Sequence, residues 1–174
     1  NELLPYIQDA LYFEENPINS AIEYKEDMVF ALNFGDEIQL ADMNINLDAR
    51  PYDMQKAYHP HGNVIYVNAC GMQNMDHSVM LMEGGSCVLR NGKCLYQAPY
   101  FQEDYALVDL ASQKEDKAKP RSLLAALTMG IQQFDAQVFA GKLPWIVGMS
   151  GGLDSSVTAA LLVYALGKQR VYGY

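Results

Sequence analysis

Trp145-Ile-Val-Gly-Met-Ser-Gly-Gly-Leu-Asp-Ser-Ser-Val-Thr-Ala-Ala-Leu-Leu-Val-Tyr164 reads as strand, loop and helix in direct succession. The run from Trp145 to Met149 is short and apolar, as a buried parallel strand requires. Ser150-Gly151-Gly152 is the turn. Asp154, Ser155 and Ser156 are N-cap residue types, and a helical run follows with Val157, Ala160, Leu161 and Tyr164 on one face. Gly167 fits the helix stop.

That geometry carries chemistry. Two adjacent glycines let the backbone approach a bulky anion closely and take unusual dihedrals. N–H groups of the loop and of the helix start converge on one point, where the helix dipole favours negative charge. Ser150, Ser155 and Ser156 add hydroxyls, and Leu153 contributes its backbone. Asp154 would repel a bare phosphate, so its place is explained if Mg²⁺ lies between it and the phosphates. The bland alternative is an ordinary capped βα turn, for which a lone Gly-Gly would be no evidence either way.

Ser-Gly-Gly-x-Asp-Ser is more specific than a glycine pair. No Lys follows the glycines, so it is not a P-loop, and the glycine spacing is not the dinucleotide fingerprint. The motif resembles the pyrophosphate-binding loop of the N-type ATP pyrophosphatases. That resemblance implies cleavage of ATP to AMP and pyrophosphate, with adenylation of an acyl or carbonyl oxygen. It implies that residues 150–156 (Ser150, Gly151, Gly152, Leu153, Asp154, Ser155, Ser156) bind ATP and that Asp154 is the Mg²⁺ ligand.

Composition bounds the partners. The chain has 174 residues, half of them hydrophobic, which suits one domain or pieces of two. A net charge of −9 argues against nucleic acid as a partner. No apolar run reaches transmembrane length, and the N-terminus lacks a signal pattern. Cys70, Cys87 and Cys94 form no CxxC pair and no metal spacing; an odd count suits a reducing, cytoplasmic setting. The first residue is not Met and the last five, Arg170-Val-Tyr-Gly-Tyr174, read as the start of another strand, so the chain reads as part of a longer one.

Outward from the loop, residues 121–140 place Leu124, Leu127, Ile131, Phe134 and Val138 at helical spacing, one long amphipathic helix packed by that stripe. Residues 111–120 are charged and poor in apolar side chains, a linker or surface segment. Strands are expected at 28–33, 43–47, 63–70, 87–90, 93–96 and 105–110, with a hairpin turn at Asn91-Gly92. Short helices are expected at 37–41 and 53–58, and loops over 1–27. The pattern is α/β with an antiparallel part.

A second resemblance spans this region. Val64-Ile-Tyr-Val-Asn-Ala-Cys-Gly71, Glu83-Gly-Gly-Ser-Cys-Val-Leu-Arg-Asn-Gly-Lys93 and Phe101-Gln-Glu-Asp-Tyr-Ala-Leu-Val-Asp-Leu110 resemble, in order, the late part of a nitrilase-like amidohydrolase domain. Leu3-Leu-Pro-Tyr6 and Tyr12-Phe-Glu-Glu15 resemble the family's earlier segment around its catalytic Lys. A nitrilase-like domain joined by a helix to a Ser-Gly-Gly-x-Asp-Ser domain is the arrangement of the glutamine-dependent NAD synthetase family. The resemblance implies a partial αββα layered domain over 1–110, a linker over 111–120 and, over 121–174, the start of a doubly wound parallel-sheet domain of the adenine nucleotide alpha hydrolase type. It implies ATP and Mg²⁺ as cofactors, deamido-NAD with glutamine or ammonia as substrates, and a homo-oligomer.

One carry-over fails. The family's nucleophile is a Cys just after a strand like residues 28–33, and this chain has Phe34-Gly35-Asp36-Glu37 there. Either the glutaminase half is degenerate or the match across residues 7–45 is misplaced. Asp36 and Glu37 as an acid–base pair, His59 and His61 as metal ligands, and the lone His77 all have simpler readings as solvated surface residues. Two alternatives stay open: another amide ligase of the pyrophosphatase type, such as GMP or asparagine synthetase, and a non-catalytic scaffold role for the nitrilase-like part.

Overall fold

A computed structural model describes residues 21–24, 28–75 and 78–174. The segment around Leu3 and Tyr12, and His77, lie outside the described residues. Among the described residues ten strands and two long helices follow in order: β1 (Ala21–Tyr24), β2 (Met28–Phe34), β3 (Met43–Asp48), β4 (Val64–Asn68), β5 (Cys70–Met75), β6 (Ser78–Glu83), β7 (Cys87–Arg90), β8 (Lys93–Gln97), α1 (Leu123–Phe139), β9 (Trp145–Val147), α2 (Leu153–Leu166) and β10 (Val171–Gly173). Six of the strands form one mixed sheet in the order β1-β2-β3-β4-β7-β8; β2, β3 and β4 run parallel, and the outer pairings are antiparallel.

Strand β3 alternates as its sequence suggests, but the more buried face is the polar one. Asn44 and Asn46 are buried while Leu47 is exposed. The amides are satisfied locally. Asn33 Nδ2 donates to Asn44 Oδ1 at 2.9 Å and to Asn46 Oδ1 at 3.2 Å. Asn46 Nδ2 donates to the carbonyls of Gly35 and Glu37, and Asn44 Oδ1 accepts from Gln39 N. These side chains take the backbone groups that a helix would use itself, so residues 37–41 form an irregular crossover and not the expected short helix. The helix expected over 53–58 is also absent. Asp53 Oδ1 accepts from Gln55 N and Lys56 N, and the Arg121 guanidinium takes the carbonyls of Asp53 and Lys56, which leaves a side-chain-capped turn.

The run 63–70 is two strands. β4 ends at Asn68, and β5 leaves the main sheet to pair with β6, a strand that the sequence reading passed over. Gly71 takes φ +125, which L side chains rarely adopt, and a Cβ there would lie 3.0 Å from Gln133 Oε1, so the Gln133 amide would have to give way to a larger residue. The Asn91-Gly92 hairpin is present, with both residues at positive φ. Residues 105–110 form no strand, and Tyr105 and Leu107 are exposed. The 111–120 segment lies along β8: Asp116 N donates to Cys94 O, and Gln97 N to Asp116 Oδ2.

Helix α1 begins at an N-cap, Ser122, whose hydroxyl accepts from Ala125 N. It ends where Ala140 and Gly141 turn left-handed. Its buried residues are Ala126 and Met129 on the side of the hairpin and Asp135 on the opposite side, not the expected stripe, since Leu124, Leu127 and Val138 are exposed. The reason is size. Ala126 and Gly130 let the helix sit close on the β5–β6 hairpin, with Leu81 against Gly130 and with Phe101, Tyr100 and Tyr52 around it. α1 then leads through Leu143-Pro144 into β9.

Candidate functional site: the loop between β9 and α2

Strands β9 and β10 are parallel, Trp145 opposite Val171, and α2 crosses between them, giving a β-α-β unit over 145–173. The ladder runs past the strands: Tyr174 N donates to Val147 O at 3.0 Å and Met149 N to Tyr174 O at 2.7 Å. Chain direction is therefore fixed up to the residue before Ser150. The strand is not buried on both faces as its apolar run suggests, and Ile146 is 75% exposed. One neighbouring strand and one helix cover only one side.

Helix α2 starts earlier than the N-cap-type residues imply. Gly152 is the N-cap and makes no side-chain capping bond; Leu153, Asp154, Ser155 and Ser156 form the first turn. The first i→i−4 bond is Ser156 N to Gly152 O at 3.3 Å, so the N–H groups of Leu153, Asp154 and Ser155 precede the helical ladder. Gly151 has φ +80, a conformation that L side chains rarely adopt, with open space where a Cβ would be. Gly152 has φ −83, which any residue can take. Its backbone conformation therefore does not require glycine, and a Cβ there would make ordinary contact with Ser150 Oγ at 3.5 Å.

The hydroxyls divide into two groups. Ser150 Oγ and Ser155 Oγ lie 3.2 Å apart, and Gly152 N donates to Ser150 Oγ at 3.4 Å. Ser156 Oγ donates back to Gly152 O at 2.8 Å, and Ser155 Oγ reaches the same carbonyl at 3.2 Å. Ser150 and Ser155 thus form the lip of the loop, and the hydroxyls of both Ser155 and Ser156 donate to Gly152 O, Ser156 at the shorter distance. Asp154 is exposed on the first turn. Its carboxylate at a helix N-terminus is favoured by the dipole.

The face expected to pack α2 is largely open. Leu162 and Ala165 are buried, while Val157, Ala160 and Tyr164 are exposed along with Leu153 at 77%. The helix is apolar all round, the pattern of an element covered on several sides. It is held from α1 by Gln132 Nε2 donating to Ala165 O at 3.0 Å.

Sequence reasoning missed a polar cluster behind this unit. Asp135, in the middle of α1, accepts from Arg170 Nη1 at 2.6 Å, Arg170 Nη2 at 2.8 Å and Trp145 Nε1 at 2.8 Å. The Arg170 guanidinium holds its carboxyl below the usual carboxylate range, against the opposing effect of burial. The signal in the sequence was the single charged residue of the helix, beside Phe134.

At the far end of the main sheet, β2 finishes at Phe34 and Gly35 turns at φ +70. No cysteine is there: Cys70 opens β5, Cys87 lies in β7 and Cys94 in β8. Burial pushes all three thiols up, Cys87 to about 12. A thiol nucleophile needs the opposite shift. Asp36 lies 3.8 Å from Arg50, which also pairs with buried Asp48 and stacks over Tyr58, so Asp36 and Glu37 are not an isolated acid–base pair. Among the described residues no three His, Cys, Asp or Glu side chains form a metal cluster, and no helix is long and apolar enough to cross a membrane.

Comparison with known proteins adds the following. Residues 123–174 match the family model described as NAD synthase. A glutamine-dependent NAD(+) synthetase of Synechocystis sp. is 33% identical over 157 residues, covering 78% of this chain and 27% of that protein. An NH(3)-dependent NAD(+) synthetase of Pyrobaculum aerophilum is 48% identical over 58 residues, 33% of this chain and 20% of that protein. A solved structure, glutamine-dependent NAD+ synthetase from Acinetobacter baumannii in complex with adenosine diphosphate, superposes with a TM-score of 0.75 at 25% identity, over 98% of this chain and 38% of that one. The chain spans about a quarter of the length of the glutamine-dependent relatives it matches.

Proposed function

We propose that this relative of the glutamine-dependent NAD(+) synthetases binds ATP at residues 150–156 and that the whole protein amidates deamido-NAD to NAD, releasing AMP and pyrophosphate. The observation that carries the reading is the uncapped start of α2, standing behind a strand whose direction is fixed up to Met149. Three N–H groups outside the ladder and the Ser150–Ser155 lip lie together at the start of α2, which suits the oxygens of a pyrophosphate. The similarity of residues 123–174 to NAD synthase, and the ADP in the solved relative, support a nucleotide there.

The chemistry follows from charge. As a carboxylate oxygen attacks the α-phosphorus, the bond to the β-phosphate oxygen breaks and negative charge builds on the leaving pyrophosphate. Fixed N–H donors stabilise that charge without reorganising. Ammonia then attacks the acyl-adenylate carbon, and AMP leaves. Gly152 keeps the approach clear, and Gly151 turns the backbone so that its neighbours can point inward. Ser156, bonded to Gly152 O, holds the first turn rather than the phosphates.

Mg²⁺ fits one place. Magnesium bound with a nucleotide takes one or two carboxylates and completes its shell with phosphate oxygens and water, and the exposed Asp154 supplies one such carboxylate. The ion would neutralise phosphate charge there. Asp154→Ala is expected to weaken Mg²⁺-dependent ATP binding with little change in melting temperature; equal affinity in titration calorimetry would remove that role.

The nitrilase-like reading of residues 1–110, the linker and the start of the doubly wound sheet at 121 are supported by the order of elements and by the superposition along nearly the whole chain. Exposed apolar side chains on β9 and α2 suit a larger parallel sheet. The protein would act in the cytoplasm as a homo-oligomer. The deciding test is product analysis of the full-length protein with deamido-NAD, ATP and ammonia. NAD, AMP and pyrophosphate are expected. ADP and phosphate would overturn the mechanism, and absence of NAD would overturn the substrate assignment.

A further inference from the structure

We propose that Asp135 is a positioning residue for the phosphate loop: it sets the angle at which β9 delivers Ser150 to the start of α2. The inference rests on the reading of residues 150–156 as an ATP site.

A carboxylate buried in an apolar helix is costly unless it is fully paired. Asp135 is 3% exposed and receives three charge-assisted or indole hydrogen bonds, all at 2.8 Å or less. The donors stand at matching places. Trp145 is the first residue of β9, and Arg170 directly precedes β10, whose first residue Val171 pairs with Trp145. Arg170 also donates to Leu143 O at 2.5 Å, on the approach to β9. One carboxylate on α1 therefore holds both strands at their amino ends.

Those strands are three residues long. Two further bonds carry the ladder to Met149, but a two-stranded ladder of this length is marginal by itself and takes its orientation from what packs on it. The Trp145 ring resists it from one side, lying edge-on to Phe139 at 5.3 Å and tilted against Phe134 at 6.1 Å. The carboxylate resists it from the other. Five residues along the same backbone lies Ser150, so a pivot at Trp145 becomes a displacement of the loop.

The base of this lever is itself fixed. Gln133 Oε1 accepts from Met72 N, Leu81 packs on Gly130, and Arg121 pairs with Glu83 just before the α1 N-cap. α1 thus carries contacts to the β5–β6 hairpin on one side and to the phosphate-loop unit on the other. A purely stabilising role for Asp135 would change how much protein is folded. A positioning role also changes how well the folded protein holds ATP.

The test is ATP·Mg²⁺ titration calorimetry on the full-length protein, with melting temperature measured in parallel. Asp135→Asn keeps the shape and an acceptor for Trp145 but loses the charge that pairs with Arg170. Its affinity is expected to fall about tenfold, Arg170→Gln to fall equally, and the double variant to be no worse than either, the signature of two residues acting as one unit. Trp145→Phe, which keeps the ring and loses one hydrogen bond, is the milder variant should those fail to fold, with an expected loss of about threefold. Lowered melting temperatures with unchanged affinity in the folded variants would overturn the inference. Failure of the wild-type protein to bind ATP would instead overturn the reading of the loop.

Discussion

At the scale of single residues, the two glycines of the loop do different work. Gly151 sits at φ +80 with open space around it, so Gly151→Ala meets strain, not a clash. Left-handed backbone costs an L residue roughly 1–2 kcal/mol. A lowered melting temperature and weaker ATP binding are both expected from this one substitution. Gly152 has an ordinary φ, and a Cβ there would stand in normal contact, 3.5 Å from Ser150 Oγ. Gly152→Ala is expected to leave the unfolding free energy within about 0.5 kcal/mol of wild type and to weaken ATP binding, because the methyl group occupies the approach. Equal loss of stability from both would mean that the loop needs Gly152 for its shape. The cysteines divide from the site in the same residue-by-residue way. Cys87 is buried with its thiol at about 12, so at pH 8 it holds little thiolate. Mass spectrometry after brief iodoacetamide treatment of folded protein at that pH should find Cys87 unmodified, and rapid stoichiometric labelling would contradict its burial.

At the scale of elements, the strand–loop–helix over 145–166 was legible because local rules agree there: an apolar run, a glycine turn, a helical period and a glycine stop. The Asn91-Gly92 hairpin was legible for the same reason. The failures lie where a distant partner overrides local preference. Residues 37–41 have helical composition, but Asn44 and Asn46, from the neighbouring strand, take their backbone groups. Residues 105–110 have strand composition, yet no strand pairs with them. The α1 stripe was misjudged because the helix is apolar on more than one face, and small residues, not large ones, mark its contact with the hairpin. Periodicity shows that a helix has a buried side; it does not choose between two apolar sides. The helix also makes a pH prediction. Asp135 has its folded value lowered by Arg170, so its contribution to stability is complete above the ordinary Asp value of about 3.9 and is lost as pH falls through the lower folded value. The melting temperature of Asp135→Asn should therefore lie below wild type at pH 7, with the gap closing in acid below about pH 4. A gap of constant size down to pH 2 would show that the charge contributes nothing.

At the scale of the whole molecule, the loop after β9 and the turn after β2 differ in what they carry. The loop at 150–155 brings Ser150 and Ser155 together at the start of α2, where the proposed ATP site lies. The turn after β2 carries no cysteine: Asn33, Asn44 and Asn46 tie down residues 35–39, while Arg50 pairs with Asp36 and Asp48. A thioester route to ammonia needs a thiolate beside that turn, and the three thiols lie in other strands, each pushed toward the protonated form by burial. The nitrogen source of the whole protein should follow. Free ammonia is expected to support NAD formation from deamido-NAD and ATP, and glutamine at the same concentration is expected to support none above the ammonia contaminating it. Glutamate release, measured with labelled glutamine, should match a no-enzyme control. Supplying ammonia through a separate, active glutaminase should restore turnover in glutamine. NAD made from glutamine alone, with glutamate appearing in equal amount, would mean that a nucleophile reaches glutamine from elsewhere in the protein and that the turn at Gly35 is not where that chemistry belongs.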